Sequence, residues 1–261
     1  MAGMHPALYE VHVFLLVFLR ISTMLFLFPI FGSANIPVQL RIALSLLLAI
    51  MLTPFALGGE PLAVPRTLWE YLPLLLKELF VGICIGYVAS FLFVALQFAG
   101  RLIDTEMGFA MVEMMDPFTD TSTTSTGQLK ILLFTIVFLL VNGHLFLLLA
   151  VARSFELIPL LEASVPDGRV VELFSRLSAG VFVSALKLAA PVYVVLVLTS
   201  LALGIVARTV PQMNVFFVGM PLKIGVGLLT LALVLPMMQQ LFRTMTDALM
   251  HDIWRLLHLL A

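Results

Sequence analysis

Charge is scarce in this chain. Asp, Glu, Lys and Arg make up 11% of its 261 residues, where a soluble domain carries about 25%. That is too little to cover a water-facing surface. The net charge of −1 leaves no basic field for nucleic acid. Cysteine is scarcer still: Cys84 stands alone, so there is no internal disulfide and no cysteine cluster for a metal. Inside an apolar run it reads as a small buried hydrophobe. A P-loop is lacking, as are His-Glu-x-x-His, Gly-x-Ser-x-Gly and Gly-x-Gly-Asp. No pattern therefore asks for a catalytic group, a metal or a cofactor. Met1–Val11 holds no Lys or Arg, and the run Val11–Ile30 is too long for a signal h-region. It is expected to stay as the first membrane helix.

Apolar residues are plentiful instead, at 62%. They come in long runs without period-two alternation, which predicts an all-α membrane protein. A span needs about 20 mostly apolar residues. By that measure about six candidates exist: Leu8–Ile30, Val38–Leu57, Leu72–Ala99, Leu129–Val151, Leu177–Val206 and Leu222–Phe242. The tail Arg243–Ala261 is expected to be helical, with Leu249, Ile253, Leu256, Leu257 and Leu260 on one face.

These runs are interrupted. Arg20, Lys77, Glu78, Asn142, His144 and Lys187 lie inside them, and Pro29, Pro54, Pro73, Pro191 and Pro236 kink or stop them. Snorkelling to the interface accounts for Lys77, Glu78 and Lys223, but less well for Arg20 and Lys187. Several helices are therefore expected to face protein or water rather than lipid. Gly82, Gly86 and Ser90 repeat at spacing four, a small-residue stripe for close helix packing within the chain or with another subunit. Seven basic residues against five weakly favour both termini in the cytoplasm.

The stretch Arg101–Gln128 differs from everything around it. It holds Asp104, Glu106, Glu113, Asp116 and Asp120 together with Met107, Met111, Met114 and Met115. The methionines recur at i, i+4 and i+7/i+8, so on a helix they share one face. Two readings fit. Methionines can fill a core, or they can form a compliant surface that seals and re-packs. The surrounding carboxylates disfavour a dry core. Gly108 and Asp116-Pro117 set bends, and Thr119–Thr126 supplies turn-forming hydroxyls.

Several motifs flank the helices: Pro29-Ile-Phe-Gly32, Gly108-Phe109-Ala-Met111 before Asp116-Pro117, Asn142-Gly143-His144, and Pro211-Gln212-Met-Asn214-Val-Phe216 before Pro221-Leu-Lys223. Together they resemble the FliR family of flagellar biosynthetic proteins, membrane components of the type III protein export gate. The resemblance covers nearly the whole chain. The Pro-Gln-Met-Asn-Val-Phe loop is its most specific part. Virulence-type secretion systems carry related subunits, but the Gly-His pair and the Pro-Leu-Lys helix start are closer to the flagellar branch.

The resemblance implies kinked helices arranged as hairpins, like a FliP-type subunit (residues 1–176) followed by a FliQ-type hairpin and tail (177–261). It implies assembly with FliP-like and FliQ-like subunits into a funnel largely lifted out of the bilayer, with FlhA-like and FlhB-like proteins around it. It places the chain in the bacterial inner membrane, at the flagellar basal body, as an entrance for unfolded flagellar substrates. The loop over residues 106–127 would plug the pore, making Met107, Gly108, Phe109, Met111, Met114, Met115, Asp116 and Pro117 the expected seal. Gly82, Gly86, Ser90, Pro211, Gln212, Asn214 and Phe216 are the expected packing residues. Gln212 and Asn214 would close a turn, while Val215, Phe216 and Phe217 offer an apolar contact to a partner.

Two other function classes compete. Broken, charged helices also suit a secondary transporter or a channel for small solutes, although the halves show no convincing inverted repeat. An intramembrane enzyme would have to use His144 with Asp104 or Glu106. A hydrogen-bonded histidine at a helix interface is the simpler reading.

Overall fold

The computed structural model describes residues 6–33, 36–57, 68–109, 125–160, 168–210, 212 and 214–261. Among the described residues every regular element is a helix, and there are seven of them. Five are long and apolar enough to cross a membrane, or six if one broken pair counts as a single span. The expectation of an all-α membrane protein with about six long apolar helices is met.

Helix α1 runs Pro6–Leu27, with its proline in the first position, where a missing N–H costs nothing. Pro29 follows its end. The turn beyond is closed by the Gly32 amide donating to the Phe28 carbonyl at 2.7 Å. Arg41, on α2 (Val38–Leu57), ties that turn down. Its Nε and Nη2 donate to the Ile36 carbonyl at 3.1 and 2.8 Å, and Nη2 also donates to the Ser33 carbonyl. The Pro-Ile-Phe-Gly motif and Arg41 thus build one turn together.

Helix α3 spans Leu68–Met107, 40 residues. The expected third span stopped at Ala99, so residues 101–107 of the acidic, Met-rich stretch are the last turns of α3. Gly108 ends it with φ +92°, a backbone conformation that L side chains resist.

The expected fourth span, Leu129–Val151, is broken. Helix α4 covers Ser125–Leu140 and α5 covers Gly143–Leu157. Between them Asn142 sits in the left-handed region at φ 58°, ψ 26°. Asparagine tolerates that region better than other residues with a β-carbon, and Gly143 follows it. The long helices α6 (Gly168–Thr209) and α7 (Val215–Leu260) complete the set. In α7 the sixth expected span and the tail are one continuous helix of 46 residues.

The chain divides into two compact units. Unit one comprises residues 1–91, 142–177 and 247–261; unit two comprises 92–141 and 178–246. Each therefore draws on both sides of position 177. The core of unit one includes Val17, Ile21 and Met24 of α1 and Val81, Ile85 and Val88 of α3. The tail face expected from periodicity joins it, since Leu249, Ile253, Leu256, Leu257 and Leu260 are all buried. In unit two, Ile103, Met107, Phe138, Leu188, Leu196 and Phe242 are buried.

Candidate functional site

The expected seal begins where α3 ends, in unit two. Three consecutive residues there rest on one face of α7. The Met107 side chain is 1% exposed and lies against Gly227. A β-carbon on Gly227 would collide with the Met107 methyl and come within 3.2 Å of Leu196 Cδ2. Glu106 Oε2 is 3.9 Å from Lys223 Nζ, both side chains about a quarter exposed. A β-carbon on Gly108 would sit 3.6 Å from Met220 Cγ. Positions 220, 223 and 227 recur at i, i+3 and i+7, one helical stripe. Phe109 is half-buried and Asp104 is buried. Met111, Met114, Met115, Asp116 and Pro117 lie outside the described residues, as do Glu113 and Asp120. The end of α3 is thus held against α7 at three successive positions.

The small-residue stripe is occupied from within the chain. In unit one, a β-carbon on Gly82 would lie 2.5 Å from the Arg20 carbonyl oxygen and collide with Thr23 Oγ1. One on Gly86 would lie 2.9 Å from Leu27 Cβ and 3.0 Å from the Met24 carbonyl oxygen. Both glycines let α1 lie against α3. Ser90, one turn on, is half-buried, and its hydroxyl donates to the Tyr87 carbonyl at 2.6 Å.

At the hairpin between α6 and α7, Gln212 is exposed in a turn. The Asn214 carbonyl accepts the Phe217 and Val218 amides at 3.1 and 3.4 Å, so Asn214 starts α7. Phe216 lies in the first turn of that helix, and Phe217 is 73% exposed. Pro211 lies outside the described residues.

A buried ion pair is the main feature that sequence reading missed. Glu78, expected to reach the interface, is fully buried, as is Arg20. Arg20 Nε donates to Glu78 Oε2 at 2.6 Å. Its Nη1 donates to the Ser154 hydroxyl at 3.2 Å and to the carbonyls of Ser154 and Ile158 at 3.1 and 3.2 Å. The guanidinium carbon lies 4.4 Å from the centre of the Phe155 ring, a cation–π contact. Snorkelling fails for Glu78 because its partner faces it from inside unit one.

The remaining polar candidates are weaker. His144 is half-buried, and its Nδ1 has no hydrogen-bond partner among the described residues. Among those residues no three His, Cys, Asp or Glu side chains are placed to hold a metal ion. Lys187 is exposed on α6 and makes no hydrogen bond or ion pair with described residues.

Comparison of the sequence with known proteins finds bacterial export proteins. A family described as "Bacterial export proteins, family 1" matches residues 11–249. A flagellar biosynthetic protein FliR from Bacillus subtilis (strain 168) is 37% identical over 220 residues, 84% of each chain. Its counterpart in Aquifex aeolicus (strain VF5) is 33% identical over 227 residues, 85% of each chain. The surface presentation of antigens protein SpaR of Shigella flexneri is 27% identical over 220 residues, 82% of this chain and 83% of SpaR.

Proposed function

The chain belongs to the bacterial export proteins, family 1, and we propose that it is a non-enzymatic subunit of the flagellar type III protein export gate. In this reading it joins FliP-like and FliQ-like subunits in the inner membrane at the flagellar basal body, and FlhA-like and FlhB-like proteins adjoin it. Unfolded flagellar subunits pass through the assembly. The likeness to FliR relatives over more than four-fifths of the chain carries the proposal.

Exposed apolar surface supports a role within a larger assembly. On α2, Leu47, Ile50, Met51 and Phe55 are 58–73% exposed. Such a face needs lipid or another helix. The α3 terminus supports a seal in residues 106–127. Met107 and the Glu106–Lys223 pair hold one end of that segment on α7, while Met111, Met114 and Met115 supply a soft face beyond the anchor. Methionine side chains re-pack readily around varied surfaces, so a Met-rich seal could close the pore and admit a polypeptide.

Coexpression with FliP-like and FliQ-like partners should yield one detergent-stable complex. Replacing Met111 and Met115 by Ala should then raise the ion conductance of membranes carrying it. A lone, stable monomer under coexpression would refute the assembly. Unchanged conductance in an intact complex would refute the seal alone.

A further inference from the structure

Between residues 178 and 246 the chain holds four cations, Lys187, Arg208, Lys223 and Arg243, and no carboxylate. Lys223 meets Glu106 of α3. Arg208 lies in the last turn of α6, where the free carbonyls favour a cation. Lys187 has neither advantage. It stands near the middle of α6, exposed, between Leu186 and Leu188. It makes no hydrogen bond or ion pair with a described residue. Pro191, one turn on, has no amide to donate to the Lys187 carbonyl. An ammonium that becomes covered by protein needs a charge of opposite sign, and this part of the chain supplies none.

Lys187 also lines a cleft between α6 and α7, within unit two. The cleft has a volume of about 520 Å³, and its lining joins Lys187, Gln240 and Thr244 to apolar Pro191, Val234 and Met237. From Val234 to Thr244 it follows α7 for about 15 Å, just under three turns. That is the reach of a docked helix with anchors at i, i+4 and i+7. The Gln240 side chain, like Lys187, has no hydrogen-bond partner among the described residues. The Thr244 hydroxyl donates to the Gln240 carbonyl at 3.2 Å. Met237 is 70% exposed, so bare apolar surface and an unanswered cation share one cleft.

We propose that the α6–α7 cleft receives a helix of a partner subunit that carries one carboxylate among apolar residues. This rests on the multi-subunit assembly described above. The carboxylate pairs with Lys187 and accepts from the Gln240 amide. Apolar residues one and two turns along the same helix cover Pro191, Val234 and Met237. Charge complementarity selects this occupant. A purely apolar helix would bury Lys187 without answering it. A soluble acidic surface would answer Lys187 and leave Met237 and its apolar neighbours bare.

The test uses the full chain in the coexpressed complex. A carbodiimide joins a lysine amine to a carboxylate in direct contact with it. Mass spectrometry of the treated complex should find Lys187 joined to an Asp or Glu within an apolar helix of another subunit. Removing one charge of a covered pair weakens an interface by at least about tenfold. Lys187→Gln should therefore dissociate from the complex at least about tenfold faster than the parent in detergent, while Lys187→Arg keeps the parent's rate. Helix content equal to the parent's separates a lost contact in Lys187→Gln from a misfolded chain. In an intact parent complex, absence of the crosslink, or dissociation of Lys187→Gln at the parent's rate, overturns the cleft site and leaves the assembly standing. Anionic lipid retained by the parent complex and lost from Lys187→Gln, with no crosslink, overturns it as well. Failure of the parent to form any complex refutes the assembly and the cleft site with it.

Discussion

Arg20 Nε donates to Glu78 Oε2 across 2.6 Å, and neither side chain is exposed. Because Nη1 also reaches Ser154 and Ile158, one guanidinium joins α1 and α3 to α5 and the residue that ends it. Taking two charges out of water is costly, and the pair offsets this only while both partners are present. Glu78→Ala or Arg20→Ala should therefore destabilise the chain by about 3–5 kcal/mol. Joint replacement, Arg20→Met with Glu78→Leu, should recover most of that loss. Thermal denaturation in detergent would check this. Single variants as stable as the parent would show that the pair contributes nothing.

The Glu106–Lys223 pair should behave differently. It is longer, at 3.9 Å, and both side chains are about a quarter exposed. Water screens such a pair, so Glu106→Gln should shift stability by less than about 1 kcal/mol. The same denaturation assay would read it, and a loss matching that of Glu78→Ala would contradict the comparison.

What sequence reading reached and missed follows from what periodicity encodes. A helical stripe is local, so Leu249, Ile253, Leu256, Leu257 and Leu260 were readable as a buried face. Gly82 and Gly86 were readable as a packing stripe, but not the surface they meet. Pairing is not local. Arg20 and Glu78 lie 58 positions apart, and no spacing rule joins residues at that range. Met107 likewise showed a helical register but not Gly227 opposite it. Asn142 was visible as a polar residue in an apolar run. That it breaks the run depends on left-handed φ, which asparagine permits without requiring. The family motifs pointed to the export group, although most of the expected seal lies outside the described residues.

Gly82 and Gly180 should respond to alanine with opposite sign. At Gly82 the added carbon meets the Arg20 backbone at 2.5 Å, and backbone cannot step aside cheaply. Overpacking of that kind costs about 1–3 kcal/mol. At Gly180, inside α6, nothing lies within 4 Å. There alanine only removes backbone freedom and should stabilise by about 0.5–1 kcal/mol. A thermal midpoint of Gly82→Ala at or above the parent's would refute the close approach of α1 to α3, and a lowered midpoint of Gly180→Ala would refute the open space at that position.

Met107 and Gly227 should be energetically coupled, because the thioether fills the space that the glycine leaves. Met107→Ala leaves a void in a buried position and should cost about 2–5 kcal/mol. Gly227→Ala inserts a methyl where the flexible end of Met107 lies, so its cost should be smaller and set by how far that side chain can turn. In the double variant the new methyl enters the void, so the combined loss should fall below the sum of the single losses by about 0.5 kcal/mol or more. A double-mutant cycle on thermal stability reads that difference directly. Strict additivity would mean that Met107 does not rest on α7, and the anchor proposed for the root of the seal would be lost with it.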